Sequence, residues 1–278
     1  MADFSQFLIA SDLDGTFLSK SVGVVPRNLD AIARFRAGGG LFTVNTGRPH
    51  LTLSSSVPGV EQLLSAPAAC CNGAYLYDFQ TGEFLQDELL SPADVADIMA
   101  FTTTRHPDIS LRAVRREQIL AYFPENEPIT HVLGSEKGVV ELDLPVENWP
   151  LHDWHKLLYM STPERIAALR RDFTATFGDR FARTSSSNRV LEVQLPHSSK
   201  AVGLEKLRRY SDTRTIIACG DYENDIPALK AADIAICPAN AMDEVKAICD
   251  LVLCDCDEGL IGDIVDAIET GKIRPKQK

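Results

Sequence analysis

The sequence is poor in the features that mark membrane, secreted and nucleic-acid-binding proteins. No apolar run approaches the ~18 residues that a membrane-spanning helix needs, so no membrane partner is expected. The N-terminus has no basic stretch followed by a long apolar one, so no signal peptide is expected. Lysine and arginine number 28 against 39 aspartate and glutamate residues, a net charge of −11. No nucleic-acid partner is expected either, because the phosphate backbone is bound by clustered Lys and Arg.

Cysteine is present, but not in a pattern that favours disulfides or zinc. The seven cysteines are odd in number, and several lie in apolar runs such as residues 68–71 and 217–219. We therefore expect reduced, buried thiols and a cytoplasmic location. Cys254 and Cys256 could form half of a zinc site, but the sequence offers no second half with zinc-like spacing.

What the sequence does contain is an alternation of short apolar runs and helical patterns. The runs read as buried strands: 7–11, 41–44, 66–71, 215–219, 234–237 and 251–254. The helical patterns lie between or after them: 26–37, 200–210, 223–232, 241–249 and 260–269. This order predicts an α/β fold built on a doubly wound, Rossmann-like parallel sheet.

The middle of the chain follows a different pattern. Two helices, opened by Ser91-Pro92 and by Pro163, occur among strand-like stretches without strict alternation. That arrangement is typical of an α+β module. Because 278 residues leave room for two modest domains, we predict a core of residues 1–85 and 191–278, interrupted by an α+β domain of residues 86–190.

Polar clusters fall where the predicted core strands end, which is where open α/β sheets bind ligands. The clusters contain Asp12 and Asp14, Thr46 and Gly47, Lys200, and Asp221 with Asn224 and Asp225. The four aspartates would repel one another unless a divalent cation lay among them. Carboxylate oxygens are ligands that suit Mg²⁺.

Each cluster also has a simpler interpretation. Asp14-Gly15 is also a turn sequence, Thr46-Gly47 a loop, and Lys200 a solvated side chain. The acidic run after Gly220 could have no role beyond capping the following helix. The order of the clusters and their common position at strand ends or helix starts favour a single phosphate and metal site.

Five stretches together make the sequence similar to the haloacid dehalogenase superfamily of phosphatases. They are Leu8–Thr16, Thr46–Pro49, Cys71–Ala74, Leu191–Lys200 and Gly220–Ile226, and the pairs Asn240-Ala241 and Glu258-Gly259 fit the same pattern. More narrowly, the chain resembles the Cof-type branch (subfamily IIB), in which a large α+β cap follows the third strand. Asn45 departs from the pattern, since the family often has a small or apolar residue there.

The resemblance implies a role for each site residue. Asp12 would be the nucleophile and a metal ligand, and Asp14 the general acid and base, with its backbone carbonyl on the metal. Thr46 and Gly47 would bind phosphoryl oxygens, and Lys200 would neutralise the phosphate and position Asp12. Three residues would complete the metal and phosphate shell: Asp221 and Asp225 for Mg²⁺, and Asn224 for phosphate.

The resemblance implies a Mg²⁺-dependent phosphatase of small phosphorylated metabolites, above all sugar phosphates, with an aspartyl-phosphate intermediate. Two alternatives stay open: a phosphotransferase or mutase on the same scaffold, and a phosphate-sensing module without turnover. The cap is expected to cover the site and to set substrate choice. His131, Arg183 and Asn188 are candidates for contact with the leaving group, although each could be an ordinary surface residue. The sequence does not decide between a monomer and a dimer.

Overall fold

The computed structural model describes residues 2–19, 21–124, 139–141, 146–185, 187–211 and 214–276. Its strands, in chain order, are β1 (Phe7–Ser11), β2 (Leu18–Ser19), β3 (Gly23–Val24), β4 (Leu41–Val44), β5 (Ala68–Cys70), β6 (Tyr75–Asp78), β7 (Glu83–Leu85), β8 (Ser110–Arg115), β9 (Ile119–Tyr122), β10 (Val139–Glu141), β11 (Trp154–Met160), β12 (Ala182–Thr184), β13 (Val190–Gln194), β14 (Thr215–Cys219), β15 (Ile234–Cys237) and β16 (Leu251–Val252).

The α-helices follow the same order. They are α1 (Pro26–Ala37), α2 (His50–Ser56), α3 (Val60–Leu63), α4 (Pro92–Arg105), α5 (Pro163–Phe177), α6 (Lys200–Ser211), α7 (Ile226–Ala231), α8 (Asp243–Lys246) and α9 (Leu260–Glu269). Short 3₁₀ helices cover Val146–Asn148, Glu223–Asp225 and Cys256–Glu258. None of the described helices combines the length and the apolar character needed to cross a membrane.

The chain divides into two compact units. The first joins Met1–Asp87 to Ser199–Lys278, and the second is Glu88–Ser198. The second boundary lies later than the predicted residue 190, because β13 pairs antiparallel with both β11 and β12 and so belongs to the sheet of the second unit.

The first unit is built on a five-stranded parallel sheet in the order β16-β15-β14-β1-β4. β1 lies between β14 and β4 and is buried along its whole length, as its uninterrupted apolar run requires. The ends of β1, β4 and β14 therefore meet at one edge of the sheet. This arrangement confirms the predicted doubly wound parallel sheet.

Two parts of the first unit differ from the sequence-based expectation. The predicted third strand, 66–71, is shorter and forms a small antiparallel sheet with β6 and β7, joined to Asn45 by one parallel bridge at Ala69. The predicted helix 241–249 shrinks to α8. Its first amides bond elsewhere, because the Met242 N–H donates to the Asp221 carbonyl at 3.0 Å.

The second unit has one six-stranded sheet, in the order β10-β9-β8-β11-β13-β12. α4 and α5 begin as predicted, with Ser91 and Thr162 as N-caps that accept backbone N–H bonds. Residues from both helices and from alternate positions of the strands form one apolar core that includes Trp154, Tyr159 and Phe173. The predicted α+β character of the inserted segment is present.

Candidate active site

Lys200 and two aspartates form the most buried part of the site. Asp12 follows β1, and its backbone N–H donates to the Cys219 carbonyl at the end of β14. Lys200 opens α6 with a side chain that is 1% exposed, and its Nζ lies 2.6 Å from Asp12 Oδ1 and 2.5 Å from Asp225 Oδ1. One buried ammonium thus contacts carboxylates from two different loops.

Asp225 also shapes the loop that carries Asp221. Its Oδ2 accepts the backbone N–H groups of Asp221 and Tyr222, each at 3.0 Å. Gly220 makes this turn possible, since a Cβ there would come 2.3 Å from the Asp225 Cγ. The loop after β14 is therefore folded around the Asp225 carboxylate.

Asp221 is fixed from the opposite side by the loop after β1. The Thr16 hydroxyl donates to Asp221 Oδ1 at 2.8 Å. Gly15 has φ +81°, and a Cβ on it would come 2.6 Å from Asp221 Oδ2. Only glycine suits both the backbone conformation and the close approach. Carboxylate oxygens of Asp12, Asp221 and Asp225 lie within 4.8 Å of one another.

We call Asp12, Asp221 and Asp225 the acidic cluster. The Lys200 ammonium contacts two of its three carboxylates, those of Asp12 and Asp225, and this group of carboxylates suits a divalent cation bound by oxygen ligands. Burial raises the pKa of Asp12 to about 8, and the charge of Asp225 adds to this rise although Lys200 opposes it. A cation among these oxygens would favour the ionised form again.

The pKa of Lys200 moves in the direction that keeps the amine charged. Burial lowers this pKa, but the Asp12 and Asp225 carboxylates raise it by more, so it lies above its usual value. The lysine is therefore a permanent cation beside Asp12 at physiological pH.

Asp14 lies at the same edge of the sheet, but its carboxylate is directed to an arginine. Arg48 Nε donates to Asp14 Oδ2 at 2.7 Å and Arg48 Nη2 donates to Oδ1 at 2.8 Å. The pair is partly exposed, with 46% of the Asp14 side chain accessible. Sequence reasoning gave Arg48 no role, although it stands directly after Thr46-Gly47.

Thr46 and Gly47 form the loop after β4. Thr46 is buried, its hydroxyl accepts the Arg48 N–H at 3.2 Å, and its carbonyl accepts the Asn72 N–H at 3.0 Å. A Cβ on Gly47 would lie 3.1 Å from Asn72 Oδ1, so the two loops pack closely. Asn224 lies on the 3₁₀ turn beside Asp225 and is partly exposed.

The two cysteines noted in the sequence, Cys254 and Cys256, lie in the loop after β16. Cys256 is grouped with Asp255 and Asp257, which could together hold a metal ion. Asp257, however, accepts hydrogen bonds from Ser19 and Ser21 and so attaches the β2–β3 hairpin. Cys254 is a partly buried free thiol and Cys256 a buried one.

The second unit contains the residues that the sequence offered for leaving-group contact. Arg183 lies on β12 and donates to the Gly178 carbonyl and to Asp179, while Asn188 is exposed in a turn. His131 lies outside the described residues. The sequence did not draw attention to the buried ion pair of β11 and β13, in which Lys156 Nζ lies 2.6 Å from Glu192 Oε2.

Comparison with known proteins identifies the family of the chain. A model of the family described as haloacid dehalogenase-like hydrolase matches residues 9–263. Pyridoxal phosphate phosphatase YbhA of Escherichia coli is 26% identical over 266 residues, covering 89% of this chain and 93% of the relative. The 5-amino-6-(5-phospho-D-ribitylamino)uracil phosphatase YitU of Bacillus subtilis is 28% identical over 247 residues, covering 87% and 90%.

A solved structure gives the same answer for the fold. A haloacid dehalogenase-like hydrolase from Bacteroides thetaiotaomicron superposes with a TM-score of 0.81 at 19% identity, covering 94% of this chain and 98% of that one. The chain belongs to the haloacid dehalogenase-like hydrolase family. The predicted family and the predicted enzyme class, a phosphatase, are confirmed at that level.

Proposed function

We propose that this protein hydrolyses small phosphorylated metabolites with the help of Mg²⁺, and that Asp12 is the nucleophile. The observation that carries the proposal is the contact of the buried Lys200 ammonium with Asp12 at 2.6 Å, beside two further carboxylates. A carboxylate held by a permanent cation is aimed and charged for attack on phosphorus.

The reaction proceeds in two displacements. An Asp12 carboxylate oxygen attacks phosphorus, the bond from phosphorus to the leaving oxygen breaks, and that oxygen takes a proton from Asp14. Asp14 then accepts a proton from a water molecule, whose oxygen attacks the phosphorus of the acyl phosphate. The bond from phosphorus to Asp12 breaks, which releases inorganic phosphate and restores the carboxylate.

The acidic cluster would hold Mg²⁺, together with the Asp14 carbonyl that the family resemblance adds. When bound, this cation offsets negative charge on the transferring phosphoryl group. Thr46, Gly47 and Asn224 would bind the phosphoryl oxygens. Arg48 orients the Asp14 carboxylate through its two hydrogen bonds, so the general acid has a fixed direction.

The substrate is proposed to be a phosphate monoester of a small metabolite. Sugar phosphates follow from the family resemblance. The relatives add two chemical types, since one is named for pyridoxal phosphate and the other for a phosphoribityl-uracil compound. A substrate screen should therefore contain open-chain and cyclic sugar phosphates as well as phosphorylated heterocycles.

We further propose that the second unit chooses among these substrates. The core residues act on the phosphoryl group, which all esters share. The second unit carries buried polar groups, including the Lys156–Glu192 pair. Replacing the second unit with a short linker should leave hydrolysis of p-nitrophenyl phosphate measurable and reduce the ratio of kcat/KM values for good and poor metabolites. An unchanged ratio would mean that the core loops choose the substrate.

The central test is the Asp12→Asn variant, which keeps the shape of the side chain but removes the nucleophilic anion. Phosphate release with Mg²⁺ should fall to background while the melting temperature stays that of a folded protein. Asp250→Asn is a suitable control, since Asp250 accepts the backbone N–H of Ala235 in β15 and is not part of the acidic cluster. Turnover of more than a few per cent in folded Asp12→Asn would remove Asp12 as the nucleophile.

A further inference from the structure

Asn45 is a buried polar residue that joins the strand of Asp12 to the helix of Lys200. It follows β4 directly and is 3% exposed. Its backbone N–H donates to the carbonyl of Ser11, the residue before Asp12, at 2.8 Å. Its side-chain Nδ2 donates to the carbonyl of Lys200 at 2.8 Å. One residue thus fixes the position of Lys200 relative to the end of β1.

The side-chain oxygen of Asn45 is unfavourably placed. Asn45 Oδ1 is buried and accepts no hydrogen bond from any residue that the structure describes. It lies against Gly203, where a Cβ would come within 2.7 Å of it. The amide cannot be turned round, because its oxygen would then face the Lys200 carbonyl, and two acceptors repel. Asn45 therefore holds Lys200 by one bond and leaves a buried acceptor unsatisfied, which opposes folding.

A long lysine side chain reaches a defined point only if its backbone is fixed. Lys200 is the first residue of α6, where the helix does not yet supply its full set of hydrogen bonds. Its ammonium must nevertheless meet both Asp12 and Asp225 within 2.6 Å. A displacement of the first turn of α6 would move the ammonium away from Asp12, and small displacements are expensive in catalysis.

We propose that Asn45 is a positioning residue, which holds the Lys200 backbone so that its ammonium meets Asp12 and which does so at the expense of stability. The inference rests on the proposed function. It leads to an unusual pair of effects, because removing the amide should impair turnover without lowering the stability of the protein.

The test compares Asn45→Ala and Asn45→Ser with Asn28→Ala. Asn28 is also fully buried and bonds to backbone, donating to Phe17 and accepting from Ile261 and Gly262 at 2.9 and 3.3 Å. Both its polar atoms are satisfied, and none of these bonds involves the acidic cluster or Lys200. Melting temperature is measured for each variant, together with kcat and KM for p-nitrophenyl phosphate with Mg²⁺.

The two sites should give opposite results. Both Asn45 variants should lose about tenfold to a hundredfold in kcat, the usual effect of a lost supporting contact, while their melting temperature stays the same or rises. Asn28→Ala should melt earlier and keep the kcat of its folded fraction within about twofold. The inference fails if Asn45→Ala retains the original kcat, or if it melts as early as Asn28→Ala.

A second measurement separates this inference from the proposed function. If the unaltered protein hydrolyses no phosphate ester, the proposed function is wrong, but the position of α6 can still be read by hydrogen exchange. In the first turn of α6 the Gly203 N–H donates to the Ser199 carbonyl at 3.1 Å. Its exchange should be faster in Asn45→Ala and unchanged in Asn28→Ala. Unchanged exchange in Asn45→Ala would show that Asn45 does not hold this turn.

Discussion

Lowering the pH should weaken the binding of Mg²⁺ to the acidic cluster. Without a cation, burial and the charge of Asp225 raise the pKa of Asp12 to about 8, even though Lys200 opposes the rise. Below that pH the folded protein carries a proton on Asp12. The cation needs the ionised carboxylate, so binding must release this proton.

The size of the effect follows from the position of the pKa. Well below about pH 8, each pH unit should weaken Mg²⁺ binding about tenfold, so about fiftyfold separates pH 8 from pH 6, and binding should level off above that range. The same proton affects stability. The folded pKa lies above the ordinary value of 3.8, so the folded state holds the proton more tightly than the unfolded state. Without Mg²⁺, this contribution to stability is lost as the pH rises from about 4 towards 8.

Isothermal titration of Mg²⁺ between pH 6 and 8, in two buffers of different ionisation enthalpy, measures both the dissociation constant and the number of protons released. Asp12→Asn supplies the control, because it lacks the carboxyl group whose pKa is raised and should bind Mg²⁺ with little dependence on pH in this range. A dissociation constant that stays the same from pH 6 to pH 8, with no proton released, would refute the reasoning.

Two further predictions concern residues that fix the site. Gly15→Ala should weaken Mg²⁺ binding at least about tenfold, because the new Cβ would come 2.6 Å from Asp221 Oδ2 on a backbone with φ +81°. The control for the Mg²⁺ titration is Gly23→Ala, whose Cβ would meet open space. Equal Mg²⁺ affinities in the two variants would contradict the prediction. Arg48→Lys keeps the charge but loses the two parallel hydrogen bonds to Asp14, so kcat should fall about tenfold with KM little changed. Steady-state kinetics that match those of the unaltered enzyme would show that Asp14 does not need to be oriented by Arg48.

The sequence was most informative where local pattern and burial coincide. β14, β15 and α9 have the predicted bounds, since each combines an apolar pattern with a clear stop. The pattern failed between residues 66 and 85, where a short hairpin sheet replaced a single strand. There the cross-strand partners decide the structure, and periodicity along the chain does not report partners.

The site, too, has features that the sequence predicted and features that it did not. Residue types and their order drew attention to Asp12, Lys200 and Asp221, because the ends of parallel strands meet at one edge. The bonds that hold them could not be predicted. Asn45 and Lys200 are separated by 155 positions, and Thr16 and Asp221 by 205. Arg48 lies within the stretch Thr46–Pro49, yet no local pattern indicated that it pairs with Asp14.

The residues that escaped prediction share a physical property with the residues that were found. Asp12 is a carboxylate buried beside another, Gly15 has a left-handed backbone, and Asn45 has an unsatisfied buried oxygen. Asp12 and Asn45 each bury a polar group at a cost to folding, while Gly15 supplies a backbone conformation that other residues rarely adopt. Asp12 contacts the Lys200 ammonium and Asn45 bonds to the Lys200 carbonyl, so the two unfavourable burials are concentrated at the edge where ligands bind. A cation bound there would relieve the charge repulsion among the carboxylates, and the binding free energy would then add to the stability of the first unit.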